Sequence, residues 1–198
     1  MKLYAITVLY KGQPKVVSLS SAYNLTSFGY FQKSSVQEFM KFTSRIVVER
    51  TQPGLRSTVK EQEYNCHTYV RSDCLSGVVI ADHEYPSRVA FRFMSKALDE
   101  FATEVSPSTW PSAAENSITF KKLEEYLALY QNPSQADPMM RLQSDLDETK
   151  VIMHDTIDAM LQRGEKLDDL VAKSNDLSVQ SKTFYKTAKK TNSCCVIQ

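Results

Sequence analysis

The last five residues, Cys194-Cys195-Val196-Ile197-Gln198, carry the clearest covalent chemistry in the chain. A cysteine followed by two aliphatic residues and a terminal Gln fits a prenylation signal, with the Cys195 thiol accepting a farnesyl group. Cys194 beside it is a candidate for reversible palmitoylation, and a Cys-Cys pair at a polar terminus has no evident packing role. One lipid chain gives marginal membrane binding, about 0.8 kcal/mol per buried methylene, so stable anchoring needs a second signal. An acyl group on Cys194 would supply it, or the lysines Lys182, Lys186, Lys189 and Lys190 facing anionic headgroups. The same lysines also suit a solvated helix end.

Little else in the sequence suggests reactivity. His67, His83 and His154 are isolated, and Cys66 and His67, as strand neighbours, point to opposite faces. Five glycines leave no phosphate-cradling loop. The reading is therefore not an enzyme, with no metal or cofactor beyond covalent farnesyl and palmitoyl lipids. A net charge of +1 gives no reason to expect nucleic-acid binding. No apolar run approaches the roughly 18 residues of a membrane span. The stretch Leu3–Tyr10 is broken by Lys11-Gly12-Gln13-Pro14 and reads as a first strand and turn rather than a leader. Without a secretory signal, Cys66 and Cys74 are expected to be reduced thiols and the chain cytosolic.

The elements that must position this tail fall into two halves, parted at Asn132-Pro133-Ser134-Gln135-Ala136-Asp137-Pro138. Of the ten Tyr, nine Phe and single Trp, only Phe184 and Tyr185 follow the break. Aromatics build compact cores, so the first half is expected to be globular and the second extended.

In the first half, Leu3–Tyr10 and Lys15–Tyr23 are strand-like. Val36, Phe39, Met40, Thr43, Ile46 and Val47 then recur at helical spacing. Ser57–Lys60, Glu63–Arg71 and Leu75–Asp82 predict three more strands, with Ser72-Asp73 and Gly77 as turn markers. Pro86 and Ser87 open a second helix carrying Val89, Ala90, Phe93, Met94, Ala97, Phe101 and Val105 on its apolar face. A third helix is predicted from about Ser117 to Tyr130. The order ββαβββαα describes an α+β fold, one antiparallel five-stranded sheet carrying helices.

In the second half, Asp137 suits a helix cap before Pro138. From there a seam spaced alternately three and four runs through Met139, Leu142, Leu146, Thr149, Met153, Thr156, Met160, Arg163, Leu167, Leu170, Ser174, Leu177, Ser181, Phe184, Ala188 and Thr191. As one helix it would span roughly 80 Å at 1.5 Å per residue. Arg163 interrupts the seam, and its five donors need acceptors from surrounding helices. A homodimer would bring two such charges together with no acidic or amide acceptor at adjacent seam positions. Thr149, Thr156, Ser174 and Ser181 weaken the seam, and Gly164 costs about 1 kcal/mol in a helix interior. The segment is therefore expected to be largely disordered alone and to fold on binding several unlike helices.

Leu161-Gln162-Arg163-Gly164-Glu165-Lys166-Leu167-Asp168-Asp169-Leu170 resembles the centre of an R-SNARE motif, with Arg163 at its ionic layer. The first half resembles a longin domain, a profilin-like fold, and Glu84-Tyr85-Pro86-Ser87-Arg88-Val89-Ala90-Phe91 is similar to the start of its second helix. With the Cys-Cys-aliphatic-aliphatic-X tail, essentially the whole chain resembles the prenylated longin R-SNAREs, the Ykt type. Gln198 stands where animal members carry Met. The resemblance implies a longin domain over 1–131, a linker over 132–137, an R-SNARE coiled coil over 138–192 and a lipidation tail over 193–198. It implies membrane fusion: the R helix zips with Qa, Qb and Qc helices whose layer Gln side chains receive Arg163. It further implies transport at the ER, Golgi, endosomes and vacuole or lysosome. The chain would be partitioned between cytosol and the cytosolic faces of Golgi, ER, endosomal and vesicle membranes. Its longin domain would autoinhibit the SNARE motif and shield the lipid. A prenylated coiled-coil tether or a small regulator of trafficking GTPases are the alternatives outside fusion.

Phe42 lies at the edge of the first helix's apolar stripe, beside Phe39 and Ile46, and widens that face beyond what one sheet needs. Two readings stand: a groove that receives the SNARE segment or the farnesyl chain, or ordinary core.

Overall fold

The computed structural model describes residues 1–61, 63–133 and 150–194, the last four by their backbone alone. Strands β1 (Leu3–Lys11), β2 (Val16–Tyr23), β3 (Arg56–Glu61), β4 (Tyr64–Val70) and β5 (Leu75–Asp82) pair antiparallel in the spatial order β2-β1-β5-β4-β3. Helix α1 (Lys33–Arg50) packs on one face; α2 (Ser87–Glu104) and α3 (Lys122–Leu129) pack on the other. With both faces covered, the centre of β5, Val78-Val79-Ile80-Ala81, is apolar without interruption. Val79 and Ala81 join the α2 side while Val78 and Ile80 join the α1 side.

Gly77 is not the turn that its residue type suggested. It lies inside β5, opposite Val8 and Tyr69, and a Cβ there would sit 2.6 Å from Cγ of Met94. The glycine is what lets α2 approach the sheet. The third helix begins at Lys122 rather than Ser117. The preceding residues instead run beside β2, where Asn116 and Ile118 N–H donate to the carbonyls of Ser18 and Leu19 at 2.7 and 3.2 Å. That satisfies the open edge of β2 in place of another helical turn.

The second half departs most from expectation. The five antiparallel strands gain a sixth, β6 (Val151–His154), which pairs parallel to β3 and makes the sheet mixed. After it come a 3₁₀ turn at Ile157–Met160, α4 (Leu167–Lys173) and α5 (Val179–Cys194). The single helical rod is thus broken in this conformation, and the described part of the segment is ordered against the first half rather than disordered. The breaks fall where the seam is polar or small. Thr156 Oγ accepts the Ala159 N–H, Ser174 Oγ accepts the Asp176 N–H, and Gly164 adopts φ 91°, the left-handed region.

Candidate functional site

Helix α1 is apolar on two adjoining stripes, and this double face builds the site. Val36, Met40, Thr43 and Val47 recur at helical spacing, while Phe39, Phe42 and Ile46 form a second row one position away. Phe42 and Ile46 are 9% and 7% exposed, in a cluster shared by the sheet and the returning segment: Ile157, Leu167, Val171, Leu177 and Tyr185. Phe39 stacks on Tyr185, with ring centroids 5.1 Å apart and planes 23° from parallel. Phe42 is therefore buried, and what helps to bury it is the second half of the chain.

Polar contacts fasten the returning arm along its length. The Glu61 carboxylate accepts the Ile157 N–H at 3.2 Å, Arg50 meets Glu165 at 3.0 Å, and Arg45 spans Glu115 and Asp176 at 2.5 and 2.6 Å. Glu38 accepts the Ser178 N–H and the Ser181 hydroxyl at 2.9 and 2.7 Å. Burial works against ionising Glu38, yet these donors outweigh it and hold its carboxyl below the usual range. Burial pushes the Glu61 carboxyl up. The Asp168 carboxylate is held low by Lys189, at 2.6 Å, and by the Tyr185 hydroxyl, at 2.8 Å.

Between α1, the sheet and α5 lies an apolar cavity of about 260 Å³. Val36, Phe39, Met40, Ile80, Phe184 and Ala188 wall it, with Glu61 and Glu63 also lining it. Ala188 precedes Cys194 by six helical residues, about 9 Å of rise. Cys66 also lines the cavity; burial pushes its thiol up to about 12, where it stays protonated. His67, its strand neighbour, faces the opposite side, donor or acceptor to Thr58 Oγ1 at 3.0 Å and edge-on to Phe91.

Among the predicted seam residues, Leu167, Leu177 and Ser181 are buried, and Met160, Leu170 and Phe184 pack on the Leu167 and Leu177 cluster. Met153 is 58% exposed on β6, and Arg163 stands exposed in the turn before α4. Met139, Leu142, Leu146 and Cys195 lie outside the described residues, and Cys194 is described only as the end of α5. Of the predicted basic residues, Lys189 is ion-paired and Lys182 donates to the Ala172 carbonyl at 3.0 Å. Lys186 and Lys190 line a surface groove beside Asp168. Sequence reasoning missed Glu38, Arg45, Arg50, Glu61, Asp168 and Tyr185. Only Tyr185 carried a signal, as half of the one aromatic doublet after the break.

No helix among the described residues is long and apolar enough to cross a membrane, and no group of His, Cys, Asp and Glu there could hold a metal ion. The family model for longin, described as a regulated-SNARE-like domain, matches residues 25–127, and that for synaptobrevin matches residues 138–198. Over the full length of both chains, this protein is 50% identical to the synaptobrevin homologue ykt6 of Schizosaccharomyces pombe. It is similarly 47% and 48% identical to the YKT6 homologues of Yarrowia lipolytica and Eremothecium gossypii.

Proposed function

The chain belongs to the longin-domain R-SNAREs of the Ykt6 type, trafficking proteins of vesicle fusion rather than enzymes, and from that premise we propose that the folded-back form is its autoinhibited state. One observation carries the reading: Met160, Leu167, Leu170, Leu177 and Phe184, which would form bundle layers, pack against the α1 side of the sheet. A seam used there is unavailable to partner helices. In the active form the arm leaves α1, straightens, and zips with Qa, Qb and Qc helices whose layer glutamines accept the Arg163 guanidinium. Bundle folding then supplies the work that draws two membranes together, in ER, Golgi, endosomal and vacuolar or lysosomal transport.

The anchor belongs to the same cycle. Cys195 carries the farnesyl group and Cys194 the palmitoyl group, with Lys182, Lys186, Lys189 and Lys190 meeting anionic headgroups. The apolar cavity beside Phe39 and Ala188 fits the aliphatic chemistry of a prenyl chain. It is slightly smaller than the roughly 300–1,000 Å³ usual for small-molecule sites and sits close along α5 to the lipidated end. Housing the chain there shields it in the cytosolic form.

The test uses residues 137–193, alone and mixed with three purified Q-SNARE motifs, followed by circular dichroism and light scattering. A jump in helicity with a one-to-three complex, weakened by Arg163→Ala, is expected. Helix formation by the segment alone, as a dimer indifferent to the partners, would replace fusion by tethering.

A further inference from the structure

The lysines of α5 are not equally available in the folded-back form. Lys189 Nζ lies 2.6 Å from Asp168 Oδ2, and the Tyr185 hydroxyl holds the other oxygen of that carboxylate at 2.8 Å. Lys182 Nζ donates to the Ala172 carbonyl, near the C-terminal end of α4, at 3.0 Å. Both contacts join α4 to α5 across the turn at 174–178, and both require the turn.

In one straight helix these partners cannot meet. Asp168 and Lys189 are 21 residues apart, about 31 Å along a helix, and Ala172 and Lys182 are 10 apart, about 15 Å. Counted from the seam, Asp168, Lys182 and Lys189 each follow a seam residue by one position, after Leu167, Ser181 and Ala188. Each of these seam residues begins a three-residue step, and the heptad turns the position after it outward from a bundle. Straightening thus leaves the seam buried among partner helices and releases two lysine charges on the outer face, beside Lys186.

We infer that the α4–α5 contact masks an anionic-membrane-binding face, so that folding back and binding an anionic lipid surface compete for the same lysines. The inference rests on the proposed anchorage and adds its regulation. The pair is half-exposed, 52% for Lys189 and 50% for Asp168, and exposed pairs are individually weak, so a charged surface can outbid it. Each lysine returned to such a surface is worth about fivefold in affinity. Membrane charge therefore favours the straightened arm, which is also the form that can zip.

The experiment uses the full-length chain with unmodified thiols and phosphatidylcholine vesicles with or without phosphatidylserine. Sedimentation reads affinity, and amide hydrogen exchange reads closure. Phosphatidylserine is expected to promote binding and to lower protection in β6 and α5. Asp168→Asn should bind those vesicles about fivefold more tightly than wild type, with no gain on neutral vesicles. Lys189→Gln should remove that gain in the double variant. Equal affinity of Asp168→Asn and wild type, or binding that leaves α5 protection unchanged, would overturn the mask. Since Asp168 lies off the seam, bundle assembly is a separate readout. A chain that gains vesicle affinity on Asp168→Asn yet never assembles with Q-SNARE helices keeps the mask and loses the fusion reading.

Discussion

Replacing Tyr185 with Ala should open the folded-back arm and leave the sheet and its other helices intact. The side chain is 5% exposed, stacked on Phe39, and bonded through its hydroxyl to Asp168. Truncating a buried aromatic costs about 3–5 kcal/mol. The lower value fits here, because Tyr185 already borders the cavity and its hydroxyl ends on a half-exposed carboxylate. About 3 kcal/mol is roughly a hundredfold in the closed-to-open ratio. Native-state hydrogen exchange separates local from global opening. Amides of β6, α4 and α5 should lose about 3 kcal/mol of protection, while those of β1 and β5 keep theirs. Tyr185 lies beside the seam rather than on it, so assembly with Q-SNARE helices should survive and begin sooner. Unchanged protection in α5 would mean that the stack does not hold the arm. An equal loss in β1 and β5 would mean that the arm and the sheet open as one unit, and either result refutes the reasoning.

Phe42→Glu places a carboxylate in the cluster that α1 shares with Ile157 and Leu167. Keeping it buried at pH 7 means protonating it, about 4 kcal/mol from its ordinary range. Its membrane-bound fraction should rise while circular dichroism shows the domain folded; unchanged partition in the folded variant would count against the groove. Burial lowers the His67 imidazole to about 4 from its ordinary 6.5. A base depressed in the folded state contributes full stability above pH 6.5 and loses it as pH falls toward 4. At about 1.4 kcal/mol per unit the loss reaches about 3 kcal/mol. Denaturant melts of His67→Gln should lack this component, and parallel pH profiles of the two proteins would exclude it.

The first half was legible because its rules are local. Short runs rich in Val, Tyr and Ile, bounded by turn residues, mark all five antiparallel strands, and Pro86-Ser87 followed by a helical stripe marks α2. The miss at the start of α3 came from an edge: residues near 117 are needed beside β2, and that need is set by a strand a hundred positions earlier. Val151-Ile152-Met153-His154 was read as helix because Met153 falls on the heptad. It forms a strand because β3 presents an open edge to it. No local pattern distinguishes the two outcomes, since the same residues are apolar enough for either partner. The ion pairs of Arg45 and Arg50 with the arm were equally hidden, because they join positions more than a hundred residues apart.

The arm suits two partners by adding a flanking row to its seam. Its bundle seam includes Thr156, Leu170, Leu177 and Phe184. The folded-back form buries the seam residues Leu167, Leu177 and Ser181 and, in addition, Ile157, Val171 and Tyr185, each one residue past a seam position. A step of one residue turns a helix by about 100°, so this second set flanks the seam. Ser178, in the equivalent place after Leu177, is where Glu38 takes hold. Substitutions in the flanking set should weaken closure first, and substitutions at Arg163, exposed in the closed form, should weaken the bundle first. The polar and flexible positions have the same double use. Thr156, Gly164 and Ser174 lower the worth of a continuous helix, yet they supply the caps and the left-handed turn on which the arm folds back. A seam of uninterrupted leucines would make the rod stable alone and leave α1 with nothing to hold. Its weak positions keep both states of the proposed cycle within reach, so partner helices could tip the balance.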